Sequence, residues 1–233
     1  MIGILIPAHN EEALLAHCLH AAVTASQHPR LKGEAVQVLL VLDSCDDLSA
    51  DIAAQFPISV LSIAARNVGM ARAAGAQWLL DKGARWISCT DADSRVAHDW
   101  LVQQLALKTD AVCGTVTVDD WGSQIDAHTQ ARYLAAYKAQ DGHRHIHGAN
   151  LGVSANAYRR AGGFQPLACH EDVQLVQQLE ACGASIAWSN RPQVVTSARL
   201  ECRAEGGFGD YLKSLQRVAA LDQHQQGLGI GTV

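Results

Sequence analysis

The sequence predicts an α/β protein with a mostly parallel central sheet that carries helices on both faces. Short apolar runs alternate with helical patterns along the N-terminal part of the chain. This alternation is typical of strand–helix–strand units, whose parallel strands are buried on both faces. The 233 residues are enough for one such domain with a sizeable core.

The regular part of the pattern ends at the sequence Asp91-Ala-Asp93. Asn10 and Asn67 stand where they would cap helices, and Gly83 follows a helical run. The predicted strands are Ile2–Ile6, Val36–Leu42, Ile58–Ile63 and Trp86–Thr90, and the predicted helices are Glu11–Ala25, Ser49–Gln55 and Val68–Lys82.

The pattern is looser beyond this point, and no linker or repeat divides the chain, so we expect a single domain. Predicted helices cover His98–Leu107, Gln124–Gln140 and Glu171–Ala181, and Asp210–Leu221 could be a helix that packs back on the domain or a lid. Predicted extended segments cover Ala111–Val118, Gly148–Ser154, Ser185–Trp188 and Gln193–Thr196. The glycine-rich tail Gln225–Val233 is expected to fray.

Composition excludes several classes of protein. The net charge is −5 and the basic residues are scattered, which argues against nucleic-acid binding. Seven cysteines without CxxC spacing indicate reduced, mostly buried thiols. No signal peptide and no membrane span are predicted, so we expect a cytoplasmic protein, and peripheral membrane contact through a lipid-linked acceptor is left open.

Three polar segments directly follow predicted strands, namely Ala8–Glu12, Asp43–Asp47 and Asp91–Asp93. Right-handed crossovers bring the carboxyl ends of parallel strands to one edge of the sheet, where ligands bind. Any one of these segments could simply cap a helix. Three of them at one edge favour a ligand site.

The two carboxylates of Asp91-Ala-Asp93 suggest chemistry on a nucleoside diphosphate. A hard divalent cation neutralises the charge of such a leaving group and needs oxygen ligands. One carboxylate could hold the ribose or a metal-bound water while the other binds the metal.

The segment from Ala65 to Gly75 is the second signal. Gly69 permits a close approach of the backbone to a ligand or to the sheet, and Arg66 could meet a base or a phosphate. Arg72 lies one turn inside the predicted helix, where it could equally be a solvent-facing charge.

Together these motifs resemble family 2 glycosyltransferases with the GT-A fold. The resemblance rests on Pro7–Glu12, the Asp43 turn, Arg66–Gly75 and Asp91–Asp93, followed by Gly148–Ser154, Gly162-Gly-Phe164 and Glu171-Asp172. It covers about residues 1–200. It implies a donor-binding half over about residues 1–95 and an acceptor and catalytic half over about residues 96–233.

The resemblance also implies roles for the matching residues. Asp43 would accept a hydrogen bond from the base, most simply uracil, and Asp93 would bind Mg2+ or Mn2+. The nucleotide-sugar donor, in the first place a UDP-sugar, would contact Pro7, Ala8, Asn10, Glu11, Asp43, Arg66, Gly69, Asp91 and Ala92. The acceptor, whether a sugar, a small molecule or a lipid-linked compound, would lie near Gly148, Ala149 and Asn150.

An inverting transfer needs a carboxylate that accepts the proton of the acceptor hydroxyl. Glu171 and Asp172 open a predicted helix, whose macrodipole favours an anion at that end. The alternative is ordinary helix N-terminal charge. We favour Asp172 over Glu171 as the base.

Two features depart from the family pattern or extend it. Many relatives have a histidine metal ligand where this chain has Val195–Arg199. Arg199 could contact the diphosphate instead. Alternatively, the third metal ligand could be water or His224. His143, His145 and His147 favour a polar loop facing the acceptor over a zinc site. Trp121 and Trp188 could stack on a sugar or belong to the core.

Two alternatives stay open at this stage. A nucleotidyltransferase usually has a glycine-rich basic segment after its first strand, whereas Pro7–Glu12 is acidic and lacks glycine. A non-catalytic nucleotide-sugar-binding protein would not need Asp91, Asp93 and Asp172 together.

Overall fold

The computed structural model describes residues 1–200 and 207–217. The chain divides into two compact units: Met1–Thr117 with Ala139–Thr196, and Val118–Lys138 with Ser197–Val233. The first unit contains the sheet. The predicted tail Gln225–Val233 and the candidate ligand His224 lie outside the described residues.

The first unit contains eight strands and six helices within the described residues. The strands are β1 (Ile2–Ala8), β2 (Val36–Asp43), β3 (Ser59–Ile63), β4 (Trp86–Cys89), β5 (Arg95–Val96), β6 (Ala111–Thr117), β7 (Leu151–Ser154) and β8 (Ile186–Val195). The helices are α1 (Leu15–Ser26), α2 (Ser49–Ala53), α3 (Val68–Asp81), α4 (Trp100–Ala106), α6 (Ala155–Arg160) and α7 (Glu171–Ala181), while α5 (Ala127–Ala136) belongs to the second unit.

The sheet has the strand order β3-β2-β1-β4-β7-β6-β8-β5. β1 pairs in parallel with β2 and β4, β2 with β3, and β6 with β8. β7 runs antiparallel to both of its neighbours, and β5 runs antiparallel to β8. The predicted mostly parallel α/β sheet is therefore confirmed.

Helices cover both faces of this sheet. One face buries Leu5, Leu39 and Ile87 against apolar residues of α3, α6 and α7. Because side chains alternate along a strand, Ile4 and Leu40 point to the opposite face, where α1 packs against β2 and β5 and α4 packs against β8. Both residues are fully buried.

Helix α1 begins at Leu15, so the predicted start at Glu11 with Asn10 as the cap was wrong. Asn10 has a φ of +54°, which lies in the left-handed region. Its side chain is also bonded to Asp46 and so does not cap a helix. In contrast, Asn67 caps α3 as predicted, because its side-chain oxygen accepts from the Met70 N–H at 2.9 Å.

The second half contains two further differences from the sequence prediction. The predicted strands Ser185–Trp188 and Gln193–Thr196 form one strand, β8. Its pairing with β6 shifts register between Gly114 and Thr115. The predicted extended segment Gly148–Ser154 begins with a 3-10 turn over Gly148–Asn150, and only Leu151–Ser154 is a strand.

The second unit has a small core of its own, formed by Ile125, Tyr133, Ala198 and Leu212. The Tyr133 ring lies edge-on to Trp121 with centroids 5.3 Å apart. Trp121 therefore packs in this core. Residues 208–217 are helical, and the remainder of the predicted helix Asp210–Leu221 lies beyond the described residues.

The six described cysteines are free thiols, as predicted, while Cys202 lies outside the described residues. Cys18, Cys89 and Cys113 are buried. Among the helices of the described residues, none combines the length and apolar character that crossing a membrane requires.

Candidate active site

The site lies at the carboxyl ends of β1, β2 and β4. The three strands are neighbours in the sheet and run in parallel, so the segments that follow them meet at one edge. Pro7 and Ala8 end β1, Asp43 ends β2, and Asp91 is the second residue after the end of β4.

The loops after β1 and β2 interlock through side-chain to backbone hydrogen bonds. The Asn10 amide donates to Asp46 Oδ1 at 2.6 Å and accepts from the Asp46 N–H at 2.9 Å. Glu12 accepts from the Leu48 N–H, and Asp47 accepts from the Glu12 N–H, both at 2.9 Å. Asn10 and Glu12 thus hold the two loops together, while Glu11, also in this segment, is buried.

Asp43 organises the turn before α3. Its Oδ1 accepts from the N–H groups of Ala65 at 2.7 Å and Arg66 at 2.8 Å, and its Oδ2 accepts from the Asn67 N–H at 2.7 Å. Burial raises the pKa of this carboxyl, but the three backbone donors outweigh burial and hold its pKa below the ordinary value. The carboxylate is therefore ionised and fixes three consecutive peptide groups, including Arg66 with its left-handed φ of +48°.

Replacing Asp43 by asparagine is expected to lower the free energy of unfolding by about 2–3 kcal/mol at pH 7. The asparagine NH2 group would face backbone donors instead of accepting from them. Because the folded pKa lies below the unfolded one, the carboxylate contributes its full stability above about pH 4 and loses it as the pH falls through the folded pKa. Urea unfolding should show the difference shrinking in acid.

Asp81→Asn, an exposed change at the end of α3, is the control for this prediction and should have little effect. Equal stability of wild type and Asp43→Asn at pH 7 would contradict the organising role of Asp43.

Gly69 is buried in the first turn of α3, and the exposed Arg66 lies just before that helix. The Gly69 N–H donates to the Leu167 carbonyl at 3.0 Å. A Cβ at this position would overlap the Gln165 carbonyl oxygen and lie 2.7 Å from the Leu167 N and O atoms. Gly69 therefore permits close contact between α3 and the segment that leads towards α7.

Arg72 joins the two acidic motifs, and it is buried rather than facing solvent. Its side chain is only 2% exposed. Nη2 donates to Asp91 Oδ1 at 2.5 Å, and Nε donates to Glu171 Oε1 at 2.9 Å. Asp91 and Glu171 together raise the Arg72 pKa against the opposing effect of burial. A permanent positive charge therefore lies between the turn after β4 and the start of α7.

Asp172 lies beside this ion network at the N-terminus of α7. Its Oδ2 accepts from the Gly148 N–H at 2.6 Å, and its Oδ1 accepts from the Val173 N–H at 2.7 Å. Burial raises the pKa of Asp172, and Arg72 opposes that rise. The result is an oriented carboxylate with an enhanced affinity for a proton.

Asp93 follows Asp91 and the buried Ala92 in the same turn. The Ser94 hydroxyl lies 3.2 Å from Asp93 Oδ1 and 2.9 Å from Thr196 Oγ1. The pKa of the nearby Cys18 thiol is raised by burial first, and then by Asp93, Asp91 and Glu11. The Cys18 thiol therefore lies in a region of negative potential to which these three carboxylates contribute.

These oxygen donors fit a hard divalent cation such as Mg2+ or Mn2+. Within the described residues, no group of three or more His, Cys, Asp or Glu side chains could hold a metal ion by itself. Any ion at Asp93 would therefore need oxygens from a ligand or from water.

The predicted acceptor-side residues are largely buried. Gly148 and Ala149 are buried beside the Asp172 hydrogen bond. The Asn150 side chain accepts from Trp100 Nε1 and donates to the carbonyls of Thr115 and Pro192, at 2.7–2.9 Å. Both amide hydrogens of Asn150 are used, so its side chain braces the sheet.

The three histidines before Gly148 form a stack. The rings of His143 and His145 lie 5.5 Å apart, and those of His145 and His147 lie 6.1 Å apart. Burial, followed by the two neighbouring histidines, lowers the pKa of His147 to about 4. This ring is therefore neutral at neutral pH. Trp188 packs edge-on to His143, and the Arg144 Cζ atom lies 4.3 Å from the centroid of the Trp188 ring.

The sequence model described as glycosyl transferase family 2 matches residues 3–162. This span is more than half of the chain and includes Asp43, Asp91 and Asp93. The chain belongs to glycosyl transferase family 2. The match ends before Glu171 and Asp172, so the assignment of those two residues rests on their geometry and on the resemblance in sequence. No curated protein sequence matches the chain.

Similar solved structures confirm the GT-A fold. S. aureus TarS superposes with a TM-score of 0.65 at 13% identity, covering 95% of this chain and 39% of that chain. The mannosyltransferase PcManGT from Pyrobaculum calidifontis gives 0.64 at 14% identity, covering 100% of this chain and 65% of that chain. TarS residues 1–349 in complex with UDP gives 0.61 at 11% identity, covering 84% and 61%. The chain therefore spans less than two thirds of the length of each of these structures.

The family 2 chain thus brings Asp91, Glu171 and Asp172 together through Arg72. The sequence did not settle the place of Arg72, although its spacing from Gly69 and Gly75, which face packed neighbours, could have indicated a buried position. Arg199 belongs to the second unit, where its N–H donates to Ser197 Oγ at 3.2 Å.

Proposed function

We propose that this family 2 chain transfers a sugar, with inversion, from a UDP-sugar to an acceptor hydroxyl, with Asp172 as the general base. The observation that carries the proposal is the Asp91–Arg72–Glu171 network. It joins the turn that would bind the donor to the helix that carries the base.

The donor side is supported by the rigid edge of the sheet. Asp43 fixes the turn at Arg66, whose exposed cation can meet a phosphate or a base. The carboxyl end of β1 and the turn at Ala92 would complete the nucleotide pocket. Two similar solved structures support a nucleotide-sugar donor: TarS was solved with UDP-GlcNAc, and PcManGT with GDP-Man and Mn2+.

Asp93 would hold Mg2+ or Mn2+, with the other positions filled by oxygens of the diphosphate and water. When bound, the ion neutralises the charge that develops on the departing diphosphate. Asp91, whose side chain is 39% exposed although Arg72 anchors it, would contact the nucleoside.

Asp172 would accept the proton of the acceptor hydroxyl as that oxygen attacks the anomeric carbon. The bond from the anomeric carbon to the diphosphate breaks at the same time, and its electron pair leaves with the nucleoside diphosphate. The two backbone donors to Asp172 orient its oxygens, and burial makes it a stronger base than an exposed aspartate.

A combined binding and turnover assay tests this proposal. UDP with Mn2+ is expected to raise the apparent melting temperature. UDP-glucose or UDP-GlcNAc should release UDP in the presence of an acceptor from a panel of sugars, alcohols and lipid-linked compounds, and the product should have the opposite anomeric configuration.

Other outcomes of this assay would contradict parts of the proposal. A retained configuration would exclude inversion. Nucleotide binding without turnover over the whole panel would favour a non-catalytic binding protein. Pyrophosphate release from UTP and a sugar 1-phosphate would favour a nucleotidyltransferase. Preference for GDP-mannose over both UDP-sugars would correct the choice of nucleotide.

A further inference from the structure

Arg72 is an unusual residue for the interior of a protein. Arginine is almost never fully buried unless it is paired, and this side chain is 2% exposed. It makes one hydrogen bond to each of two carboxylates that come from different parts of the chain. Its third nitrogen, Nη1, is buried and has no hydrogen-bond partner among the described residues.

The surroundings of Arg72 are shaped to accept a guanidinium group. A Cβ at Gly148 would overlap Arg72 Nη2 and lie 2.9 Å from its Cζ, so the group packs directly on a residue without a side chain. The Phe164 ring lies 5.9 Å from Cζ. The same Gly148 donates its N–H to Asp172, so Arg72 and the proposed base share one packing partner.

A buried ion pair of this kind is weak evidence for a contribution to stability, since apolar residues of similar volume often stabilise a core equally well. Here the ion pairs of Arg72 fix the position of the turn after β4 relative to the start of α7. Asp91 follows β4, while Glu171 precedes Asp172 directly at the start of α7. The planar guanidinium group of Arg72 sets the distance between Asp91 and Glu171.

On the basis of the proposed function, we infer that Arg72 is a positioning residue that fixes the Glu171–Asp172 turn relative to Asp91 and so couples the donor side of the site to the base. Arg72 acts through Asp91 and Glu171 and is not placed in contact with the reacting atoms. Misplacement of reacting groups by about 1 Å can lower a rate by about 100-fold.

The charge on Arg72 has a second effect on Asp172. The groups that face Asp172 are Arg72 from α3, Asp91 from the turn after β4 and Glu171 from its own helix. The Cys113 thiol of β6 also interacts electrostatically with Asp172. Burial, followed by Asp172, raises the pKa of Cys113 to about 12, so this thiol is neutral. Arg72 is therefore the cation that opposes protonation of Asp172. Its loss should move the acidic limb of the kcat profile to higher pH.

The test compares Arg72→Met, Arg72→Lys, Glu171→Gln and the double variant Arg72→Met/Glu171→Gln with wild type. The readouts are UDP release from the best UDP-sugar with Mn2+, calorimetric binding of UDP, and the pH profile of kcat. We expect Arg72→Met to lower kcat about 100-fold, with a change in UDP affinity of less than tenfold. The double variant should lose little beyond the worse single variant, because both changes break one link.

Arg85→Met is the matched control, because Arg85 is 54% exposed and forms a surface ion pair with Glu34. It should retain wild-type kcat and pH profile. If Arg72→Met does not fold by circular dichroism, Arg72→Lys and Glu171→Gln carry the test, since a lysine cannot bridge both carboxylates with the geometry of a guanidinium group.

Three results would overturn the inference: folded Arg72 variants with kcat within threefold of wild type, a loss confined to UDP affinity, or additive effects in the double variant. Absence of UDP release by the wild-type protein would instead contradict the proposed function.

Discussion

Asp172→Asn is expected to lower kcat about a thousandfold, with UDP affinity nearly unchanged. Asparagine is close in size to aspartate and can still accept from the Gly148 or Val173 N–H, but it cannot take a proton from an acceptor hydroxyl. In the wild type, activity should fall in acid as Asp172 becomes protonated. Because burial raises the pKa of Asp172, that fall should occur above the ordinary aspartate value of 3.8.

Steady-state UDP release and calorimetric UDP binding measure these two quantities separately. Glu180→Gln, an exposed change near the other end of α7, is the control and should leave kcat unchanged. If Asp172→Asn retains more than a tenth of wild-type kcat and keeps the acidic limb of the pH profile, while Glu171→Gln abolishes turnover, the base is Glu171.

Asp93→Ala is expected to abolish the effect of Mn2+ on UDP binding and to lower kcat by about 100- to 1,000-fold. The reason is that Asp93 is the carboxylate proposed to hold the ion against the diphosphate. The melting temperature with UDP alone and with UDP plus Mn2+ measures the first effect directly, without any acceptor.

The exposed Asp81→Ala removes one carboxylate elsewhere on the first unit and controls for the change in net charge. It should keep the response to Mn2+. A full Mn2+ response in Asp93→Ala would contradict the assignment of Asp93 as the metal ligand.

The sequence predicted those parts of the fold that local pattern determines. The helix Glu171–Ala181 was confirmed residue by residue, and Asn67 caps α3, because the capping group and the helix are neighbours along the chain. The start of α1 was wrong because the partner of Asn10 is Asp46, which lies on the next loop. Local capping preference cannot reveal that competition.

The same distinction applies within the candidate site. The carboxylates Asp43, Asp91 and Asp93 follow predicted strands, so their place at the edge of the sheet could be predicted. The role of Arg72 depends on Glu171, a residue 99 positions further along the chain. Its pairing therefore required the tertiary structure, as did the buried bracing role of Asn150.

The way Asp43 holds its turn has a consequence for how nucleotide preference could diversify. Within the turn before α3, its carboxylate accepts from the main-chain N–H groups of Ala65, Arg66 and Asn67, and it also accepts from the hydroxyl of its neighbour Ser44 at 3.1 Å. Backbone donors are common to all residues except proline. The side chains at positions 65 and 66 can therefore vary without loss of the hydrogen bonds that hold the turn. Substitutions at these two positions are thus a route by which evolution or protein engineering could change the nucleobase that the site prefers.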